Sequence, residues 1–235
     1  MHPTAMINGK NFFDCYARSF PETQPVTVLD IGSQNVNGSL KDACPPRFKY
    51  IGVDFVPGKG VDVVLTDPYA LPFESGTADI VVSSSCFEHS EMFWVVFLEV
   101  MRVLKPRGLF YLNAPSNGMI HRYPVDCWRF YPDSGKALVS WARRNGIQAA
   151  LLESYVSRQH ISTQIGDQWN DFVAVFIREE AQVPEFPDRI VDSKTDFYNG
   201  SKHGSAEVLR PSDLNEDQKK IALISQVIVN HIGVF

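Results

Sequence analysis

Two regions of the sequence gather side chains able to do chemistry. The denser is the run Asn117-Gly118-Met119-Ile120-His121-Arg122-Tyr123-Pro124-Val125-Asp126-Cys127-Trp128-Arg129-Phe130, which combines an imidazole, a carboxylate, two guanidiniums and three aromatic rings. An unperturbed imidazole titrates near about pH 6.5, so His121 is placed to take a proton from a hydroxyl, with Asp126 orienting it or serving as the base itself. Arg122 and Arg129 suit a phosphate or carboxylate, because the guanidinium fork matches those anions. Tyr123 and Trp128 complete the candidate substrate-binding set. The competing reading pairs Asp126 with Arg129 internally and anchors the loop through Trp128, Phe130 and Tyr131. His89, in Phe87-Glu88-His89, is a secondary catalytic candidate whose alternative is to cap or orient the start of a helix.

The second region is Asp30-Ile31-Gly32-Ser33, a glycine turn at the end of an apolar strand, where backbone N–H groups can approach a ligand. Strand-to-helix turns also need glycine for steric reasons alone. Asp54 closes the next apolar run about twenty residues further on, the position from which acids bond ribose hydroxyls. Asp67, ahead of Leu71-Pro72-Phe73, is placed to accept a bond from an adenine amino group. Exposed turn aspartates remain the alternative for both.

The elements that must position these groups follow from the pattern. Short β-branched runs alternate with helix-like segments, predicting strands at Val26–Asp30, Phe48–Val53, Val61–Leu65, Ala78–Ser84 and Gly108–Asn113 joined by crossover helices. Phe93, Phe97, Val100, Met101 and Leu104 recur at helical spacing within Ser90–Leu104, where Lys105-Pro106 stops the helix. Residues 114–133 read as a functional loop, Pro132–Asn145 as a helix ended by Gly146, and Ala149–Val156 and Asn170–Arg178 as late strands forming an antiparallel edge. Past Glu179 the composition turns polar until Ser212, which opens a helix to Val234 with Leu214, Ile221, Ile224, Ile228 and Ile232 on one side. The fold class is thus α/β, a doubly wound and mostly parallel sheet. A domain over residues 1–180, with an N-terminal helix, is followed by a polar linker and helix over 181–235 that extends it or makes an oligomer contact.

At 235 residues and a net charge of −5 the chain fits one large core and argues against a general nucleic-acid surface. Cys15, Cys44, Cys86 and Cys127 form no C-x-x-C pair, which disfavours a zinc site; no compact ligand cluster is evident, so no metal ligand is assigned and assistance by a divalent ion stays open. No run approaches about eighteen apolar residues, and Met1–Lys10 lacks a basic stretch before an apolar one. A cytoplasmic protein with no membrane partner is the expectation.

Taken in order, Val28-Leu29-Asp30-Ile31-Gly32-Ser33, Asp67 before Leu71-Pro72-Phe73, Ala78-Asp79-Ile80-Val81-Val82-Ser83, Phe87-Glu88-His89 and Glu99-Val100-Met101-Arg102-Val103-Leu104-Lys105-Pro106-Arg107-Gly108-Leu109 resemble class I S-adenosylmethionine-dependent methyltransferases, in particular their small-molecule group. The resemblance implies a seven-stranded Rossmann-like sheet. It places Asp30, Gly32 and Ser33 around the methionine end of the cofactor, Asp54 on the ribose, Asp67 and the Pro68 backbone on the adenine, Phe55 against the adenine face, and Ser83, Ser84 and Ser85 beneath the sulfonium. Where the family has a second glycine this chain reads Ser33-Gln34-Asn35-Val36-Asn37-Gly38. There Gln34 and Asn35 either bond the methionine carboxylate or cap the turn. Tyr123 to Asp133 also resembles a segment of methyltransferases from bacterial surface-polysaccharide clusters. That second resemblance implies O-methylation of a sugar, sugar nucleotide or related anionic building block, with S-adenosylhomocysteine as co-product. Methylation of a phenolic, amine or carboxylate metabolite is the alternative, and a non-catalytic binding partner a further one.

Overall fold

A computed structural model describes residues 2–158 and 169–232. Strands β1 (Thr27–Ile31), β2 (Lys49–Asp54), β3 (Val63–Val64), β4 (Ala78–Ser84), β5 (Leu104–Pro115), β6 (Ala150–Ser157), β7 (Asp171–Ile177) and β8 (Phe197–Lys202) form a single sheet in the order β3-β2-β1-β4-β5-β7-β6-β8. β1 to β5 pair in parallel, whereas β7 runs antiparallel between β5 and β6, and β8 is an antiparallel edge strand on β6. The strand count is one above expectation because Phe197–Lys202, in a stretch read as polar linker, adds the last strand.

Inward-facing residues alternate along the strands and so divide the core in two. On one face Leu29, Val81, Phe110, Leu112 and Phe176 pack under α2 (Phe93–Val103) and α3 (Ser134–Arg144). On the other, Val28, Ile80, Val82, Leu109 and Tyr111 pack under α1 (Pro3–Tyr16), whose buried stripe includes Ala5, Asn8, Phe12, Phe13 and Tyr16. α2 buries Val96, Phe97, Val100 and Met101, and ends where Leu104 turns extended two residues before Pro106. α3 closes with Ile147 N–H donating to Ala142 O (3.0 Å) and Gly146 N–H to Arg143 O (3.0 Å). Gly146 sits at φ +80°, the left-handed C′ glycine that this two-bond cap demands.

Two expectations need correction. The predicted strand Val61–Leu65 contracts to Val63–Val64, because Asp62 turns its carboxylate onto the Gly52 N–H (2.8 Å) and β3 pairs with β2 at only two positions. The stretch beyond Glu179 is not a linker. Phe186, Ile190, Val191 and Phe197 are core residues, and Ile190 and Val191 lie in α4 (Ile190–Ser193). The buried carboxylate of Glu153 ties this segment down by accepting from Tyr16 Oη and from the Ile190 and Val191 N–H groups.

The last helix, α5 (Glu216–Ile232), starts at a capping box rather than at Ser212. Gln218 N–H donates to Asn215 Oδ1 (2.8 Å) and Asn215 N–H to Gln218 Oε1 (3.1 Å). Its expected end, Val234, lies outside the described residues, and its Ile221, Leu223, Ile224, Val227 and Ile228 are exposed. Among the described residues no helix is long and apolar enough to cross a membrane.

Candidate active site

The strand order brings the tips of β2, β1, β4 and β5 side by side along the carboxyl edge of the sheet, the crevice where open α/β sheets bind ligands. Asp30 and Gly32 stand at the tip of β1. Gly32 adopts φ +82°, and a Cβ there would lie 2.5 Å from Cys86 Cβ, so the turn is fitted to glycine on conformational and steric grounds. Its N–H and that of Ser33 donate to Val53 O at 2.9 and 3.2 Å, clasping the turn to β2.

Asp54, buried at the tip of β2, accepts from the Gln34 N–H through Oδ2 and from the Val56 N–H through Oδ1, each at 3.1 Å. Asp30 accepts from Tyr50 Oη at 2.7 Å. Burial pushes its carboxyl up to about 7, helped by the nearby Asp54 and opposed by that Tyr50 bond. Ser83 donates to Ile31 O (2.8 Å), whereas the buried Oγ atoms of Ser33 and Ser84 have no partner among the described residues. Ser85 holds φ +53°, a strained conformation for a residue with a side chain, at the point where β4 leaves the sheet. Phe55, Asp67 and Pro68 are exposed, and Asp67 Oδ1 accepts from the Tyr69 N–H at 2.8 Å.

The two polar residues that replace a second glycine divide their roles. Asn35 caps the turn, its Oδ1 accepting from the Gly38 N–H at 3.0 Å. Gln34 Oε1 accepts from Tyr123 Oη at 3.1 Å, which ties the loop after β5 to the glycine turn. Tyr123 is therefore a bridge between the two chemical regions.

Within that loop Asp126 and Arg129 form a bidentate pair at 2.6 and 2.9 Å. Asp126 also accepts the His121 backbone N–H at 2.7 Å. The Arg129 guanidinium, followed by the backbone bond, holds the Asp126 carboxyl down at about 2. The structure shows the internal Asp126–Arg129 pair, the competing reading of the sequence, and Arg129 also donates to Met119 O and Trp128 O. Trp128 donates to Ser90 O at 2.9 Å and packs edge-on against Phe93 and Trp94, a brace for the loop. Arg122 stays exposed.

His121 and His89, distant in sequence, meet edge to face with ring centroids 4.8 Å apart. Beneath them lies Glu88, whose side chain is 1% exposed and whose carboxyl is raised by burial to about 8. Their Nε2 atoms lie 3.7 Å (His89) and 4.0 Å (His121) from Glu88 Oε1. Burial lowers the His89 pKa. The three side chains offer ligand atoms all within 4.8 Å of one another. Sequence spacing hid this group because the fold of the loop, not a motif, returns His121 to Glu88.

Other members escaped sequence reasoning. Trp169 stacks edge-on to His121 at 4.7 Å. Asn8, Asn113, Ser157 and Asp171 form a buried polar row at the strand ends, with Asn8 Nδ2 donating to Asn113 Oδ1 (3.1 Å) and Ser157 Oγ (3.2 Å). Asn113 and Asp171 were legible only as polar residues near one end of otherwise apolar strands.

A parallel sheet in this order, with a glycine turn and an acid at adjacent strand tips, defines an α/β enzyme of the nucleoside-cofactor type. Residues 11–112 match a family model described as a methyltransferase domain, which supports S-adenosylmethionine-dependent methyl transfer as the enzyme's activity. No curated protein matches the chain in sequence.

Among solved structures it is similar to the 1,6-didemethyltoxoflavin-N1-methyltransferase of Burkholderia thailandensis, with bound S-adenosylhomocysteine, at 13% identity and TM-score 0.53 over 75% of this chain and 79% of that one. It is also similar to a putative sarcosine dimethylglycine methyltransferase from Galdieria sulphuraria, at 14% identity and TM-score 0.52 over 75% and 86%. The carbon methyltransferase CurJ matches at 15% identity and TM-score 0.51 over 75% of this chain and 54% of that one. At these identities the likeness is one of fold, and the acceptors in those descriptions differ.

The residues present fit S-adenosylmethionine as cofactor. The tip of β1 offers a buried carboxylate with a single side-chain partner, and two buried serine hydroxyls stand unpaired around a turn that only glycine satisfies.

Proposed function

We propose that the enzyme methylates an oxygen of a small, hydroxyl-rich, anionic acceptor such as a sugar, a sugar nucleotide or a surface-polysaccharide building block. The observation that carries this reading is the buried polar row at the ends of β4, β5, β7 and β6. Ser84 Oγ, Asn8 Oδ1, Asn113 Nδ2 and Asp171 Oδ2 have no hydrogen-bond partner among the described residues. Leaving such groups unpaired costs about 1–3 kcal/mol each, which a ligand rich in hydroxyls would offset and a flat apolar one would not. Arg122, exposed on the loop with no ion pair among the described residues, would meet the acceptor's anionic group.

S-adenosylmethionine supplies a methyl group on a positively charged sulfur. Asp30, Gly32 and Ser33 would hold its methionine end, Asp54 its ribose, and Asp67, Pro68 and Phe55 its adenine, with Ser84 and Ser85 as the floor. Gln34, through its bond to Tyr123, orders the loop that closes the site. The acceptor hydroxyl's proton leaves toward the Glu88–His89–His121 cluster, in which His121 is oriented by Asp126, 3.4 Å from its Nδ1. The loop and α1 exclude water from the reacting atoms. Residues 1–180 form the catalytic unit on this reading, and the core residues of 186–197 support treating 181–235 as its extension. Four free cysteines accord with a reducing, cytoplasmic setting.

Incubation with methyl-13C S-adenosylmethionine and a panel of nucleotide sugars, simple sugars, phenols and amines tests this. A methyl resonance in the O-methyl range from a sugar acceptor, lost by about 100-fold or more in His121→Ala, is expected. Turnover confined to amines or phenols would overturn it.

A further inference from the structure

We propose that Glu88, His89 and His121 bind a single divalent transition-metal ion. The site stands on the geometry alone. Only its use, holding an acceptor oxygen, rests on the methyl-transfer reading.

Both imidazoles are set up as ligands. Nδ1 of His89 faces Val125 O at 2.5 Å, and Nδ1 of His121 lies 3.4 Å from both Met119 O and Asp126 Oδ2. Rings that donate through Nδ1 present the Nε2 lone pair, and an imidazole oriented by a carbonyl or carboxylate on its far side is the usual arrangement at metal sites. Both Nε2 atoms face the same Glu88 oxygen.

Their distances from it, 3.7 and 4.0 Å, are too long for hydrogen bonds. A tetrahedral ion with bonds of about 2.1 Å spaces its ligand atoms about 3.4 Å apart. Seating one asks the two carboxylate–imidazole separations to shrink by roughly half an ångström and the third, within 4.8 Å, by at most about 1.4 Å.

The carboxylate supplies the second, independent observation. Glu88 and Glu153 are equally buried, at 1% and 0% exposure. Glu153 receives a tyrosine hydroxyl and two backbone N–H groups. Glu88 Oε2 receives no hydrogen bond among the described residues, and the two imidazole Nε2 atoms lie 3.7 and 4.0 Å from Oε1. A buried carboxylate is costly unless paired or bound to a metal, and a cation between these three atoms supplies what Glu88 lacks. Two imidazoles and one carboxylate suit zinc, iron(II), cobalt or nickel better than magnesium or calcium. Three protein ligands leave a position open for water or an acceptor oxygen, whose proton the ion would make easier to remove and the Glu88 Oε2 left outside the coordination shell would accept.

The test uses the full chain, stripped with a chelator and titrated with Co2+ and with Zn2+, reading visible absorption, stoichiometry and melting temperature. One equivalent of Co2+ should bind, with the visible bands of a four- or five-coordinate site, be displaced by Zn2+ and raise the melting temperature. Glu88→Gln keeps the side chain's shape and should weaken binding at least tenfold, as should His121→Ala. Asp126→Asn should weaken it about 10- to 100-fold through the orientation of His121. His203→Ala, whose ring pairs with Glu180 at 3.1 Å elsewhere on the surface, should change nothing. Absence of stoichiometric binding, or binding unaltered in both Glu88→Gln and His121→Ala, overturns the site. S-adenosylhomocysteine titrations on the same samples separate the claims, because intact cofactor binding without metal binding removes the metal site and leaves methyl transfer standing.

Discussion

Replacing Asp30 by asparagine should stabilise the ligand-free protein at high pH while damaging its cofactor site. Asp30 is 4% exposed, and burial raises its carboxyl from the usual 3.8 to about 7. The rise from 3.8 to about 7 corresponds to about 4 kcal/mol, an upper bound that relaxation reduces to the order of 2–4 kcal/mol. The sign follows from proton binding. Between the two values the folded state holds a proton that the unfolded chain has released, so stability is fully present below about pH 4 and is lost as pH rises through 7. Asp30→Asn retains an acceptor for Tyr50 Oη and cannot ionise, so its curve should lack that loss. Urea unfolding followed by far-UV circular dichroism should show the variant more stable than wild type by about 2–4 kcal/mol at pH 8 and by less than about 1 kcal/mol at pH 4. A cationic ammonium beside Asp30 would restore its ionisation, so S-adenosylhomocysteine binding near pH 7 should release a proton in the wild type and weaken about tenfold or more in Asp30→Asn. A stability difference equal at both pH values would refute the reasoning.

Gly32→Ala should cost about 2–5 kcal/mol, combining a left-handed φ with the contact against Cys86. Gly32→Ala with Cys86→Gly should recover only the steric part, and urea midpoints measure both. Glu153→Ala leaves three buried donors without their acceptor and should destabilise by about 3 kcal/mol or more in the same assay. Asp126→Ala releases Arg129 and the His121 N–H, so hydrogen exchange of the amides from 119 to 129 should quicken relative to those of β4.

The sheet was legible because parallel strands buried on both faces read as apolar runs, and Val28-Leu29, Ile80-Val81-Val82 and Leu109–Leu112 are such runs. β8 escaped because Phe197-Tyr198-Asn199-Gly200-Ser201-Lys202 lies on an edge and carries only one large buried apolar residue. Its place is dictated by partners from distant elements, Tyr155 against Phe197 and Glu153 reaching α4. The cofactor side of the site was readable from Asp30, Gly32 and Asp54, since strand tips are fixed by strand order. The acceptor side was readable in composition only. Whether Arg129 meets a ligand or Asp126, and whether His121 returns to Glu88, depends on the path of an irregular loop, which no periodicity encodes.

The central claim, a cofactor seated on the turn after β1, is tested most directly by calorimetric titration of the full chain with S-adenosylhomocysteine. Saturable binding at one site per chain, weakened at least tenfold by Asp54→Ala in a variant that remains folded, is the predicted result. No heat of binding at millimolar ligand, or equal affinity in Asp54→Ala, would contradict it.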